Sequence, residues 1–97
     1  MNTLEEAIDD YFHSIVRTHP WDKKRFEEAL EPMKAWFDDE FSEPAPLAAL
    51  TGAHIARYMA MLEGDDQSEA ECAVTDLCTW LATWGWLDAN PLEQVYA

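Results

Sequence analysis

Apolar residues recur three and four positions apart through four stretches of this chain, and intervals of that kind mark amphipathic α-helices. The first stretch carries Leu4, Ile8, Tyr11, Phe12, Ile15 and Val16, with Glu5, Glu6, Asp9 and Asp10 on the other face. Asn2 or Thr3 is placed to cap it, because a side-chain oxygen there accepts from the unpaired amides of the first turn, and the acids that follow complement the helix dipole. Residues 17–20 read as a turn, since the residue before Pro20 is pushed out of helical geometry. In the second stretch Asp22 is the expected cap and Phe26, Leu30, Met33, Trp36 or Phe37, and Phe41 form the buried stripe. Pro32 interrupts that stripe. An interior proline removes one ladder bond and costs about 3 kcal/mol, so the expectation is a kink, with two shorter helices over 23–30 and 32–40 as the alternative.

Residues 42–46, Ser-Glu-Pro-Ala-Pro, read as an extended loop. Thr51 then caps a third helix with Ile55, Tyr58, Met59 and Leu62 inside, ended by Gly64-Asp65-Asp66. The fourth is expected from Asp66 or Ser68, either of which can cap it, with Glu69 and Glu71 in its first turn. Its stripe of Val74, Leu77, Trp80, Leu81 and Trp84 is assigned to the core, and Trp21 and Trp86, each beside a turn, are the tryptophans expected outside. Gly85 can take the left-handed conformation that closes a helix, with Trp86 and Leu87 folding back over the last turn. Asp88 or Asn90 then caps a short turn with Pro91 at its first position. No stretch alternates with period two, so no strand is predicted. The pattern over 1–97 is that of one all-α domain, a compact bundle of four or five helices.

Composition adds charge to this picture. Twenty Asp and Glu against six Lys and Arg give a formal charge of −14. Such a surface repels free nucleic acid and anionic membranes on average and attracts a basic protein. A hydrophobic content of 48% is enough for folding despite the charge. Cys72 and Cys78 lie six apart on the fourth helix, roughly 200° around it, too far round for a disulfide or a shared metal. With no signal peptide and no apolar run near ~18 residues, a reduced cytoplasmic compartment is the expectation.

His13, His19 and His54 fall on different segments without a second ligand at helical spacing, so no metal or other cofactor is expected. Neither a nucleophile-base arrangement nor a glycine-rich phosphate loop is present, and no enzymatic activity is expected.

A fourth helix ending W-L-x-x-W-G-W-L-D-A-N-P-L and a third reading L-T-x-x-x-I-x-x-Y-M-x-x-L resemble the SAM-like core-binding N-terminal domain of tyrosine recombinases and phage integrases. The likeness runs through Trp80, Leu81, Gly85, Trp86, Leu87, Asn90 and Pro91, and on the second helix through Asp22, Phe26, Met33 and Trp36. It implies a compact SAM-like orthogonal bundle that clamps DNA without catalysing, with residues 88–97 resembling the start of a linker to a catalytic domain that this sequence does not include. Tyr96 stands outside that domain's context and inherits no role. In the family the polar faces of the second and fourth helices approach DNA. Carried onto this sequence, the contacts are Lys23, Lys24, Arg25 and Lys34 on the second helix and Gln67, Ser68 and Thr75 on the fourth.

The residues themselves temper this. The 23–25 run sits at a helix start, where the dipole disfavours cations, with Glu27 and Glu28 within reach. The acids concentrate at Asp38, Asp39, Glu40 and Glu43 and at Glu63, Asp65, Asp66, Glu69 and Glu71. Two functions follow: a domain that helps position DNA in recombination or integration, or an acidic protein-interaction module or DNA mimic on the same scaffold, with a basic protein as partner.

Overall fold

Thr3 starts the first helix, α1 (Leu4–Thr18): its hydroxyl accepts from the Glu6 amide at 3.2 Å. The computed structural model describes residues 3–92; Asn2, the alternative cap, and residues 93–97, with Val95, Tyr96 and most of the expected linker, lie outside them. Leu4, Ile8, Tyr11 and Ile15 are buried along one face of α1. Val16 is a correction: it is 44% exposed, because the face centres on that stripe and residue 16 falls at its margin.

A 3-10 turn, Pro20–Asp22, leads directly into α2 (Lys23–Phe41). Asp22 makes no capping bond, correcting that expectation, because the turn holds it at φ −90° and ψ −13°, already helical rather than in the extended geometry a cap needs. The helix is continuous through Pro32, so the two-helix alternative fails. Leu30, Met33 and Phe37 around the proline are wholly buried, and burying each stabilises by about 1.5–3 kcal/mol, which together exceeds what the proline costs.

The 42–46 segment is irregular, as predicted, and is pinned at Ala45. The Ala45 amide donates to Asp38 Oδ1 at 2.9 Å, and its carbonyl accepts from the Leu4 amide at 2.9 Å. A single β-bridge between Thr3 and Pro46 does not extend into a sheet. After a 3-10 turn at Leu47–Ala49, Thr51 caps α3 (Gly52–Met59) by accepting from the His54 amide at 3.2 Å.

Helix α3 stops at Met59, and Gly64, with φ +57°, belongs to the start of α4 (Gly64–Thr83) instead of the end of α3. The start is therefore earlier than Asp66 or Ser68. Glu63 takes the extended backbone of a cap, and Asp65 and Asp66 fall in the first turn, where the dipole favours them. Gly85 closes α4 at φ +79°: the Trp86 amide donates to the Leu81 carbonyl at 2.9 Å and the Gly85 amide to the Ala82 carbonyl at 3.2 Å. Leu87 packs back onto the core, and Trp86 stays 43% exposed. Trp84 corrects the stripe. It is 66% exposed, because it is the capping residue where the backbone leaves helical geometry and no neighbouring helix covers it.

Asn90 Oδ1 accepts from the Leu92 amide at 2.9 Å, capping the following turn, and Leu92 is buried beside Ile55 and Val74. The chain thus returns onto its own core through residue 92. Helix α2 packs most extensively on α4, and α1 closes over both. The result is a compact four-helix bundle with a radius of gyration of 12.4 Å. No described helix is long and apolar enough to cross a membrane.

Three substitutions separate these roles in urea denaturation followed by helical circular dichroism. Leu81→Ala, at a wholly buried position, should cost about 2–5 kcal/mol. Gly85→Ala should cost about 1–2 kcal/mol through its left-handed backbone. Trp84→Ala should stay within about 0.5 kcal/mol of the parent.

Candidate functional site

The seven residues assigned to DNA do not form one surface. Lys23 Nζ lies 2.8 Å from Glu27 Oε2, and Lys34 Nζ lies 3.3 Å from Asp38 and 3.8 Å from Glu5 of α1. Arg25 meets Glu69 of α4 at 3.5 Å and Asp22 at 3.8 Å, with its guanidinium 4.8 Å over the Phe26 ring. Lys24 alone of the four is exposed without an ionic partner among the described residues. Arg25 and Lys34 are nine residues apart, roughly 180° around the helix, so one faces α4 and the other α1. On α4, Gln67 donates to the Met59 carbonyl at 3.3 Å, Ser68 is exposed, and Thr75 borders the crevice occupied by Leu92. The contact that unites any of these segments is an acid–base pair, Arg25 with Glu69.

A different surface lies between α1 and the C-terminal half of α4. Asp76, Trp80 and Trp84 follow one another at four-residue steps, which stacks them along one side of the helix. Tyr11 of α1 donates its hydroxyl to Asp76 Oδ2, and its ring meets Trp80 edge-on at 5.8 Å. Trp80 and Trp84 stand 6.4 Å apart, centroid to centroid. These side chains wall a cleft of about 350 Å³ whose far side carries Ser14 and Thr18 of α1 and His19 just beyond its end. Trp84 also walls a second cleft of about 360 Å³, shared with Asp10, Arg17 and Trp86. The exposed Trp21, 76% accessible, lies 6.1 Å from the His19 ring and extends the apolar surface. Burial by the surrounding helices leaves the Trp80 indole Nε1 without a hydrogen-bond partner.

Sequence reasoning missed this site, although its signal was present. A tryptophan stripe at helical spacing reads as core, and only the acid one turn before Trp80 marks a face that meets water. No family model, curated protein or solved structure matches the chain.

Other reactive groups are quiet. Among the described residues no three His, Cys, Asp or Glu side chains converge to hold a metal. His13 Nδ1 donates to the Asp9 carbonyl at 2.8 Å and His54 Nδ1 to the Ala49 carbonyl at 2.7 Å, each a local backbone bond. Cys72 is exposed and Cys78 buried, on different sides of α4 as their spacing predicts. Burial pushes the Cys78 thiol up to about 12. It also holds the Tyr11 phenol above its ordinary value, aided by the bond to Asp76, and raises Tyr58 with a smaller contribution from Asp66.

These three acids are held neutral in the folded chain and ionise freely once unfolded. Their contribution to stability is complete below the unfolded values, about 8.5 for cysteine and about 10 for tyrosine, and is lost as pH rises through those values toward the folded ones. The urea midpoint should fall above about pH 9. Cys78→Ala should remove the first part of that decline and Tyr11→Phe a later part. A midpoint unchanged between about pH 8 and 10.5 would contradict the assignment.

Proposed function

We propose that this chain works by binding, as an acidic protein-interaction module for a basic protein partner on a helical scaffold resembling the recombinase core-binding domain. The observation that carries the reading is the fate of the cations. Of Lys23, Lys24, Arg25 and Lys34, all but Lys24 sit against a carboxylate. Exposed pairs of this kind are weak, about 0–1 kcal/mol each, so a phosphate can break them. The obstacle is the acid left behind. Each of the three paired cations, turned toward DNA, leaves Glu27, Glu69 or Asp38 beside the phosphate, inside a domain whose formal charge is −14.

Counterion release, the main source of non-specific DNA affinity, requires cations free to replace sodium at the backbone. The same charge favours a cationic protein, whose approach is accelerated by long-range attraction and slowed by salt. DNA positioning remains the function implied by the resemblance, and the tryptophan-bearing surface supports the protein-binding reading over it, since aromatic residues are enriched where proteins meet.

Titration at about 20 mM and about 150 mM salt decides between them. A labelled DNA duplex should show no saturable binding at either concentration, while a basic protein of histone type should bind with an affinity that falls with salt. Saturable DNA binding at low salt that Lys24→Glu weakens would restore the DNA-positioning function.

A further inference from the structure

We infer that the cleft between α1 and α4 is an arginine-binding site, in which Trp80 and Trp84 receive a guanidinium from a basic partner protein and Asp76 neutralises it. The inference rests on the basic-partner reading and locates where that partner docks.

The molecule already contains the arrangement, completed from within. Trp36 and Glu40 lie four residues apart on α2, and Arg57 of α3 sits over the Trp36 ring at 5.5 Å while its guanidinium reaches Glu40 Oε2 at 3.3 Å. A tryptophan face and a carboxylate one helical turn away hold an arginine between them. Asp76 and Trp80 have that four-residue spacing on α4 in the opposite order, with Trp84 one turn further; no lysine or arginine among the described residues lines their cleft, and Arg17 lines the adjoining one with Trp80 and Trp84. Among the described residues, Asp76 is the one Asp or Glu lining the cleft. The Tyr11 hydroxyl occupies Asp76 Oδ2 and orients the group, which leaves Oδ1 to accept from an incoming donor. A planar guanidinium stacks on an indole and donates sideways to a carboxylate at the same time, whereas a lysine ammonium is a compact charge that keeps its water. Threonine hydroxyls at Thr18, Thr79 and Thr83 line the rim and can bond the backbone carrying the arginine.

Charge selects the occupant. A second copy of this chain would bring another −14 to the same face, and like charge of that size opposes association. A segment rich in arginine is drawn to the domain and finds in this cleft the exposed Trp84 face, which at 66% accessibility is otherwise left to water.

The test uses two fluorescent, amidated nine-residue peptides of alternating arginine and alanine or lysine and alanine, equal in charge, titrated by anisotropy at about 20 mM salt. The arginine peptide should bind wild type about threefold to tenfold tighter than the lysine peptide. Trp84→Ala, at an exposed position, should bring that ratio to about one, and Asp76→Asn should weaken the arginine peptide selectively. In the wild-type spectrum, the indole N–H signals of Trp80 and Trp84 should shift on adding the arginine peptide, while that of Trp36 stays in place. A ratio near one on wild type, or one unchanged by Trp84→Ala, overturns the inference. If both peptides still bind with salt sensitivity in that case, the basic-partner reading stands and the docking place is elsewhere. If neither binds wild type, both readings fall. Self-association of the domain that Trp84→Ala abolishes would make the face an interface between copies and would equally overturn the arginine site.

Discussion

The structure depends on covering the apolar side of α4. Ala70, Ala73, Val74, Leu77, Cys78 and Leu81 are all buried, and the elements that bury them are α2 along most of the length and α1 toward the C-terminal half. Ala70 lines a crevice with Arg25, Ala29 and Pro32 of α2, and Tyr11 of α1 meets Asp76 and Trp80 in the other half. A chain with a formal charge of −14 repels itself when compact, so this burial must outweigh that repulsion before any surface feature can exist. The same dependence explains the ends of the helix. Gly85 and the return through Leu87 to Leu92 add apolar cover on the side that α1 and α2 leave open.

The cations belong to that balance. Arg25 with Glu69 joins α2 to α4, Lys34 with Glu5 joins α2 to α1, and Arg57 with Glu40 joins α3 to α2. Half of the six lysines and arginines therefore bridge two helices, each offsetting acid repulsion where the elements meet. Individually such exposed pairs contribute little. Their placement nevertheless accounts for why basic residues occur at all on α2, and it does so without DNA. The hydrogen bond from Lys34 to Asp38, reinforced by Glu5, keeps that lysine charged and engaged.

Much of this was readable from residue types. The stripes of α1, α2 and α3, the caps at Thr3, Thr51 and Asn90, and the stop at Gly85 follow from local rules that tertiary contacts reinforce. The failures share one cause: the decision lay outside the local sequence. Asp22 is a good cap by type, but Pro20 starts a turn that has already made it helical. At Pro32 only the two-helix alternative failed, because the buried residues on either side of it carry one helix through. Trp84 falls on the stripe by spacing, yet whether a stripe position is inside is decided by how far the neighbouring helices reach. The cleft at Asp76, Trp80 and Trp84 was hidden for that reason, since spacing cannot show which end of an aromatic stripe runs out of cover.

This separates scaffold from partner. The architecture is held by Phe26, Met33, Ile55, Tyr58, Met59 and Leu81, all buried, together with Gly85 and Asn90, which turn the backbone. Such positions constrain how helices pack and where they stop, and many surfaces are compatible with them. The residues that would meet a partner are elsewhere: Lys24 exposed and alone among the described residues, Arg25 tied to Glu69, Trp84 uncovered next to Trp80. Substitution at those surface sites leaves the buried set untouched, so the surface can change its charge and its exposed aromatics without repacking a single core residue. The buried set therefore bears on the architecture, while charge pairing and the exposed tryptophans bear on what it binds.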